Sequence, residues 1–367
     1  MQKLKWDFVF TIMLVALIGV GFSYIFSASS IFAMDAFGNM YYFLTKQVIN
    51  IILGIVVIIV VAKIPYQKIR PYIPILNLIT IILMSLPLVP GFGVSKNGAE
   101  RWINLFGFSF QPSELAKITI IVTIAHMIEM RKRLGILNNL KKGIGPILGY
   151  LAAYAALLLL VQKHLSATML IMLVSGTLLL VGGINKKNIV LLSSVAGGLV
   201  VAAIALEPFR MARILGFLHP EDDPNGKGFH VLQSWKALGS GEFFGLGLGM
   251  SRQKFGWLPE NHTDFIMAII GEESGFLGVI LIIGLFLILV IQGILISAKA
   301  PDRFGLLMGT GISLLIFFQA FINMAVVSGM FPVTGVPLPF ISYGGTSTII
   351  LMIGIGLIFN IISQTKK

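Results

Sequence analysis

Cysteine is absent from the 367 residues of this chain, and charged residues are scarce. Without cysteine the chain has no disulfide framework, no thiolate metal site and no thiol nucleophile. Charged residues make up 11% of the sequence, whereas a soluble domain carries roughly 25%. Hydrophobic residues reach 56%, and the mean hydropathy is +0.93. This composition excludes an ordinary soluble domain and predicts a protein embedded in a membrane.

Long apolar segments recur along the whole chain. A helix of about 20 apolar residues is long enough to span a bilayer. Ten segments meet this requirement, at residues 8–29, 44–62, 71–90, 112–130, 144–161, 166–184, 188–206, 264–297, 304–330 and 341–363. The sequence therefore predicts an all-α, polytopic integral membrane protein of about ten transmembrane helices, forming a single transmembrane domain over residues 1–367. The first segment is too long for a signal-peptide core, so we expect it to remain as an uncleaved span.

The net charge of +12 would suit a nucleic-acid partner, but its distribution favours membrane topology as the explanation. With a cytoplasmic N-terminus, the loops on that side hold 16 of the 27 basic residues and only Asp7, Glu129 and Asp302 of the acidic ones. An excess of lysine and arginine is typical of cytoplasmic loops. We therefore expect both termini in the cytoplasm and no binding of nucleic acid.

Two loops on the opposite side are longer than a connection between helices requires, at residues 91–111 and 207–263. Long loops in compact proteins are usually functional or disordered. The second is the large extracytoplasmic loop between predicted helices 7 and 8, and its aromatic residues and glycine turns argue against disorder. It holds the candidate binding residues Arg210, Arg213, Gln233, Ser234, Arg252 and Lys254. The alternative for its cations is a hydrated basic loop.

The segment at residues 257–278 combines charge with an apolar run. A turn brings Glu260, His262 and Asp264 to the start of the eighth predicted span. An ionisable residue at membrane depth is costly and is a functional candidate by default. Small residues recur on the helical face of Asp264, so we expect its side chain to face the helix bundle. The alternative is that Thr263 or Asp264 only caps a helix.

Charged residues also lie within the spans themselves. Glu272 and Glu273 belong to the eighth span, and Glu114 and Lys117, three residues apart, share a face of the fourth. Lys117 is a candidate for meeting a phosphate at the outer leaflet. The alternative is an internal ion pair that satisfies two costly groups. Arg101, in the preceding loop, is a further candidate, and its alternative role is an anchor at the membrane interface.

The start of the last predicted span contains two prolines and a glycine pair, in GVPLPFISYGGTS at residues 335–347. Irregular backbone at membrane depth is tolerated only where it is buried in protein or lines a cavity. The segment therefore indicates a cavity, with Ser342 as a candidate binding residue. The alternative is that Ser342 caps the last helix.

Taken in this order, the motifs resemble those of the SEDS family (shape, elongation, division and sporulation). The similarity covers essentially the whole chain. It rests on Arg101-Trp102, QPSELAK at 111–117, GFHVLQS at 228–234, LPENHTDFI at 258–266, GEESGFLG at 271–278 and PVTGVPLPFISYGG at 332–345. The SRQKF at 251–255 is more similar to the division branch, FtsW, than to the elongation branch, RodA. Residues 162–168, QKHLSAT, depart from the family's usual loop because its proline and aspartate are missing.

The resemblance implies a multi-pass protein of the bacterial inner (cytoplasmic) membrane with peptidoglycan glycosyltransferase activity on lipid II. It also implies a nascent glycan strand, a class B penicillin-binding protein and other division or elongation proteins as partners. The family's essential aspartate matches Asp264, for which we expect the role of general base. The leaving pyrophosphate requires cations or a bound metal. Only Asp264 with Glu260 or His262 offers ligands for a divalent cation, so metal binding is left open.

Two other classes of function are compatible with the sequence. A flippase of lipid-linked precursors would also use buried charges and broken helices. The charges lie near the outer ends of the spans, however, which favours an enzyme of the outer face. A non-catalytic scaffold of the cell-wall synthesis complex is the third interpretation, and its buried polar groups would be dispensable.

Overall fold

The structure, a computed structural model, describes residues 6–89, 92–96, 99–105, 108–205, 211, 215–224, 226 and 228–365. Eleven α-helices lie within these residues. They are α1 (Phe8–Phe37), α2 (Tyr42–Lys63), α3 (Ile73–Ser85), α4 (Pro112–Arg133), α5 (Gly145–Ala156), α6 (Leu165–Gly182), α7 (Lys186–Ala205), α8 (Phe229–Ser240), α9 (Ile266–Ala298), α10 (Arg303–Val327) and α11 (Gly345–Gln364). Short 3-10 turns flank α3, and π-helical turns flank α5.

Eight helical segments of the described chain are long and apolar enough to cross a membrane. They are Phe8–Phe37, Tyr42–Lys63, Tyr66–Leu88, Leu140–Val161, Leu165–Gly182, Ile266–Ala298, Arg303–Val327 and Gly345–Gln364. This confirms the all-α, polytopic class. The predicted spans 112–130 and 188–206 form helices α4 and α7, which are not in this set, so the count of ten stays a prediction.

Helices α4, α10 and α11 form the centre of the bundle. Every residue of α4 from Ala116 to Ala125 is buried. Helix α10 packs on α4, α6 and α9, and α11 packs on α2 and α10. The charged helix α4 is central because Glu114 and Lys117 would be costly against lipid. Helices α2 and α3 instead expose apolar side chains at the surface of the bundle.

We call the end of the bundle that carries residues 92–96, 99–105, 108–111 and 228–265 the outer end. The opposite, inner end is fixed by Arg70, whose guanidinium lies 3.0 Å from Glu129 and 3.1 Å from Asp302. The hydroxyl of Tyr66 donates to Asp302 at 3.0 Å. These contacts join α4, the start of α10 and the turn before α3.

A small antiparallel sheet covers part of the outer end. Its strands are β1 (Gly93–Lys96), β2 (Ala99–Leu105) and β3 (Phe108–Phe110), in the order β1-β2-β3. In register, Ile103 pairs with both Gly93 and Phe110. The sequence analysis identified residues 91–111 as a long outer loop and did not predict the sheet. Strands of three to seven residues are too short for their pattern to stand out from a loop.

Helix α9 is interrupted near its outer end. Gly275 has φ 64° and ψ −164° inside the 33-residue helix, a conformation that favours glycine because it has no Cβ. The break divides a short outer segment, which contains Glu272 and Glu273, from the long apolar remainder. The carbonyls released at the break bind the adjacent loop, residues 241–258.

Candidate functional site

Two irregular segments meet at the outer end, the turn at residues 259–265 and the loop at residues 328–344. Ser342 joins them, since its Oγ accepts from the amide of Leu338 at 2.8 Å and donates to the carbonyl of Thr263 at 2.6 Å. The amide of Tyr343 donates to the carbonyl of His262 at 3.0 Å. The two segments predicted to be functional are therefore hydrogen-bonded to each other at the outer end.

Ser342 does not cap the last helix, so that interpretation is wrong. Helix α11 begins at Gly345 with Gly344 as its N-cap residue, four residues later than the predicted span. The backbone before it stays irregular, and Phe340 has φ 63°. The irregular backbone thus extends to Gly344, and its part from Leu338 to Ser342 is buried in protein, as its position requires.

Two side-chain amides of α10 bind backbone carbonyls of these two segments. Asn323 Nδ2 donates to the carbonyls of Asp264 and Val336, each at 2.7 Å. Gln319 Nε2 donates to the carbonyl of Pro337 at 3.1 Å. Both side chains are fully buried. The sequence analysis missed them, although an amide inside an apolar span is itself a signal because polar groups there are costly.

Asp264 lies half-buried in the turn immediately before α9. The N-cap position of that helix is Phe265, so neither Thr263 nor Asp264 occupies it as the sequence analysis allowed. A Cβ placed on Gly335 would lie 3.3 Å from Asp264 Oδ2, and Gly335 has φ 71°. The carboxylate therefore lies against backbone of the second segment, and its main chain is held by Asn323.

Glu260 and His262 belong to the same turn. Glu260 has φ 53°, and its Oε2 accepts from the hydroxyl of Thr263 at 2.7 Å. The ring of His262 lies 4.4 Å from Phe43, 5.9 Å from Phe32 and 6.0 Å from Tyr343, measured between centroids. These aromatic residues were missed because they come from the outer ends of α1 and α2 and from the loop before α11.

The fourth span opens with the predicted pair. Lys117 Nζ lies 2.6 Å from Glu114 Oε1, and both side chains are only 4% exposed. Within the described residues Glu114 Oε2 has no hydrogen-bond partner. Next to the pair, Ser113 Oγ lies 3.3 Å from His164 Nδ1, so the divergent loop at residues 162–168 packs on the start of α4.

The remaining candidates are spread over the outer end. Ser234 Oγ donates to the carbonyl of Val327 at 2.6 Å, which holds α8 on the end of α10. Gln233 is buried beside it on α8. Arg101 is half-buried on β2. Arg210 and Arg213 lie outside the described residues.

Lys254 and Arg252 differ in their surroundings. Lys254 is buried, its Nζ lies 3.6 Å from Glu273 Oε1, and it donates to the carbonyl of Gly249. Arg252 has an exposed side chain, while its amide donates to Glu272 Oε1 at 3.0 Å. Lys254 is thus engaged within the protein, and Arg252 is the cation of this segment that faces outward.

Metal ligands do not converge in the described part of the chain. No group of three or more histidine, aspartate or glutamate side chains is placed to hold an ion there. Glu260 Oε2 accepts from Thr263, and the ring of His262 lies among aromatic rings. The described groups next to Asp264 are the amide of Asn323, which binds its carbonyl, and the backbone of Gly335.

Known proteins resemble this sequence over nearly its whole length. The FtsW/RodA/SpoVE family model, described as cell cycle protein, matches residues 7–367. A probable peptidoglycan glycosyltransferase FtsW of Trichlorobacter lovleyi is 41% identical over 362 residues, which cover 99% of this chain and 94% of the relative. Stage V sporulation protein E of Bacillus subtilis is 34% identical, with 98% of each chain covered.

A solved structure has the same fold. It was described as showing structural coordination of polymerization and crosslinking by a peptidoglycan synthase complex, and its chain matches with a TM-score of 0.78 at 26% identity, covering 97% of each chain. The resemblance predicted from the sequence motifs is confirmed over the whole length of the chain, which therefore belongs to the FtsW/RodA/SpoVE family of cell cycle proteins.

Proposed function

We propose that this protein is a peptidoglycan glycosyltransferase that polymerises lipid II at the outer leaflet. The observation that carries the proposal is the position of Asp264. Its carboxylate lies at the meeting point of two irregular segments, and its main chain is held by the buried amide of Asn323. Support also comes from relatives named as peptidoglycan glycosyltransferases at about 40% identity over nearly the full chain.

Asp264 acts as the general base in this proposal. It takes the proton of the acceptor sugar hydroxyl as the hydroxyl oxygen attacks the anomeric carbon of the donor. The new glycosidic C–O bond forms, and the bond from the anomeric carbon to the pyrophosphate oxygen breaks. Undecaprenyl pyrophosphate leaves, and cations near the site stabilise its charge. Arg252 and Arg101 are described candidates for that task.

A class B penicillin-binding protein, which crosslinks the glycan strands, is the proposed partner. The similar solved chain comes from a peptidoglycan synthase complex that polymerises and crosslinks, and this supports the pairing. Other division or elongation proteins would join the same complex in the cytoplasmic membrane.

The proposal is tested with purified protein and lipid II in detergent, with and without a partner transpeptidase. We expect glycan polymer that is visible by gel electrophoresis and depends on this chain. Absence of polymer in the presence of a functional partner, together with movement of lipid II across vesicles, would identify a flippase. Absence of both activities would leave a scaffold.

The orientation of the chain is a separate proposal, based on the asymmetry of basic residues. Reporter fusions are expected to place residues 131–143, residues 185–187 and the C-terminus in the cytoplasm, and residues 207–263 outside. A cytoplasmic signal from the last segment would overturn both the orientation and the placement of the site at the outer leaflet.

A further inference from the structure

The loop that joins α8 to the Asp264 turn exposes an unusual number of large apolar side chains. Residues 243–250 read FFGLGLGM and contain no charged or polar side chain. Phe244 is 76% exposed and Trp257 is 61% exposed. We call residues 241–258 the apolar loop. Its exposed large apolar side chains are Phe243, Phe244, Leu246, Leu248, Met250, Phe255 and Trp257. Exposed apolar patches of this kind mark contact surfaces.

The break in α9 fixes the apolar loop in place. The amides of Leu246 and Gly247 donate to the carbonyls of Glu272 and Glu273 at 3.0 and 2.9 Å. In the other direction, the amide of Phe276 donates to the carbonyl of Glu242 at 2.9 Å. Backbone groups released by the break are therefore satisfied by the loop, which is the condition for irregular backbone near a membrane.

The two buried carboxylates hold the end of the apolar loop. Glu272 Oε2 accepts from the hydroxyl of Ser251 at 2.5 Å, and Glu272 Oε1 accepts from the amide of Arg252 at 3.0 Å. Glu273 Oε1 accepts from the hydroxyl of Ser27, on α1, at 2.6 Å. The ion pair of Glu273 with Lys254 adds a further contact. The loop is thus anchored at the depth of these carboxylates.

That depth can be measured along two helices. At 1.5 Å per residue, α9 rises about 35 Å from Ala298 to Gly275, and α1 rises about 29 Å from Phe8 to Ser27. The hydrocarbon core of a bilayer is about 30 Å thick. Helix α1 begins at the inner end and α9 ends there, so both place the carboxylates and the apolar loop at the outer boundary of the hydrocarbon core.

We propose that the apolar loop inserts into the outer leaflet of the bilayer and holds the mouth of the site at the lipid surface. Aromatic and aliphatic side chains without charge are suited to the interface, and the depth of the loop matches it. Asp264 follows Trp257 by one short turn, so the carboxylate is kept close to the headgroups. A carboxylate near the headgroups would be accessible to a lipid-linked substrate, and this consequence alone rests on the proposed function.

The absence of cysteine permits a direct test, because each substitution introduces a single thiol. Phe244→Cys and Leu248→Cys are spin-labelled in the full-length protein in vesicles of phosphatidylethanolamine and phosphatidylglycerol. Collision with oxygen, which is enriched in lipid, is compared with collision with a water-soluble nickel chelate. Ile288→Cys, exposed in the middle of α9, is the lipid control, and Lys299→Cys, exposed at its inner end, is the water control.

We expect both labels in the apolar loop to be several-fold less accessible to nickel than the label at Lys299, with oxygen access between those at Lys299 and Ile288. Nickel access equal to that at Lys299 would overturn the proposal. Protection from both probes would also overturn it, because protein would then cover the loop. If added partner transpeptidase removes oxygen access, the surface is a protein interface and not a lipid contact. None of these readings depends on glycan synthesis, so they are separate from the test of the proposed function.

Discussion

Replacement of Asp264 by asparagine is expected to stop glycan synthesis without unfolding the protein. Asparagine has nearly the same shape, but it cannot accept a proton as a carboxylate does. Loss of a general base lowers the rate by about 10²–10⁴. We expect the fold to be kept, because Asn323 Nδ2 binds the carbonyl of Asp264, which asparagine retains. Polymer formed from lipid II by the purified variant is the measurement.

The control for this substitution is Asp35→Asn, which removes an exposed carboxylate at the outer end of α1. It is expected to leave polymer length and yield unchanged. Thermal unfolding in detergent shows whether either variant is destabilised. Near-normal polymer from Asp264→Asn would remove Asp264 from the mechanism, and loss of expression would point to a structural role instead.

Replacement of Lys117 by methionine is expected to produce the largest loss of stability. It leaves the carboxylate of Glu114 buried at 4% exposure without its cation. Breaking a buried ion pair by removing one partner costs about 3–5 kcal/mol. Thermal unfolding in detergent measures the effect. Lys46→Met, at an exposed position of α2, is the matched control and should change stability by about 0.5 kcal/mol or less.

The exchanged pair, Glu114→Lys with Lys117→Glu, separates a structural role from a binding role. A purely structural pair would keep both stability and polymerisation in the exchanged protein. If Lys117 meets a phosphate of the substrate, the exchanged protein folds but makes no polymer. Polymerisation by the exchanged protein at the wild-type rate would count against the phosphate role.

Much of the fold was predictable because membrane insertion depends on local properties. Apolar length identified eight segments that the structure confirms as helices able to cross a membrane. The spacing of Glu114 and Lys117 predicted a shared face, and the ion pair is formed. The turn at residues 257–266 was predicted to be functional because charged residues at the start of an apolar span are costly in any arrangement of the helices. Each of these inferences needs only neighbouring residues.

The construction of the site depended on contacts between distant parts of the chain. Ser342 was predicted as a binding residue or a cap, but it joins the Asp264 turn to the loop before α11. Asn323 lies 59 positions from Asp264 and still binds its carbonyl. No local pattern indicates which buried amide meets which carbonyl, since that choice is made when the helices pack.

The sequence by itself determined that this is a multi-pass membrane protein of the SEDS type with Asp264 at the start of a span. Tertiary structure alone decided which basic side chains of the outer loop are exposed and which are paired within the protein. Lys254 and Arg252 look alike in the sequence, yet Lys254 pairs with Glu273 while the side chain of Arg252 stays exposed. The difference arises because Gly275 interrupts α9 and draws the apolar loop against two buried carboxylates. The chain has 40 glycines, and the sequence does not indicate that Gly275 is the one that interrupts α9. The packing of α9 against the apolar loop shows it.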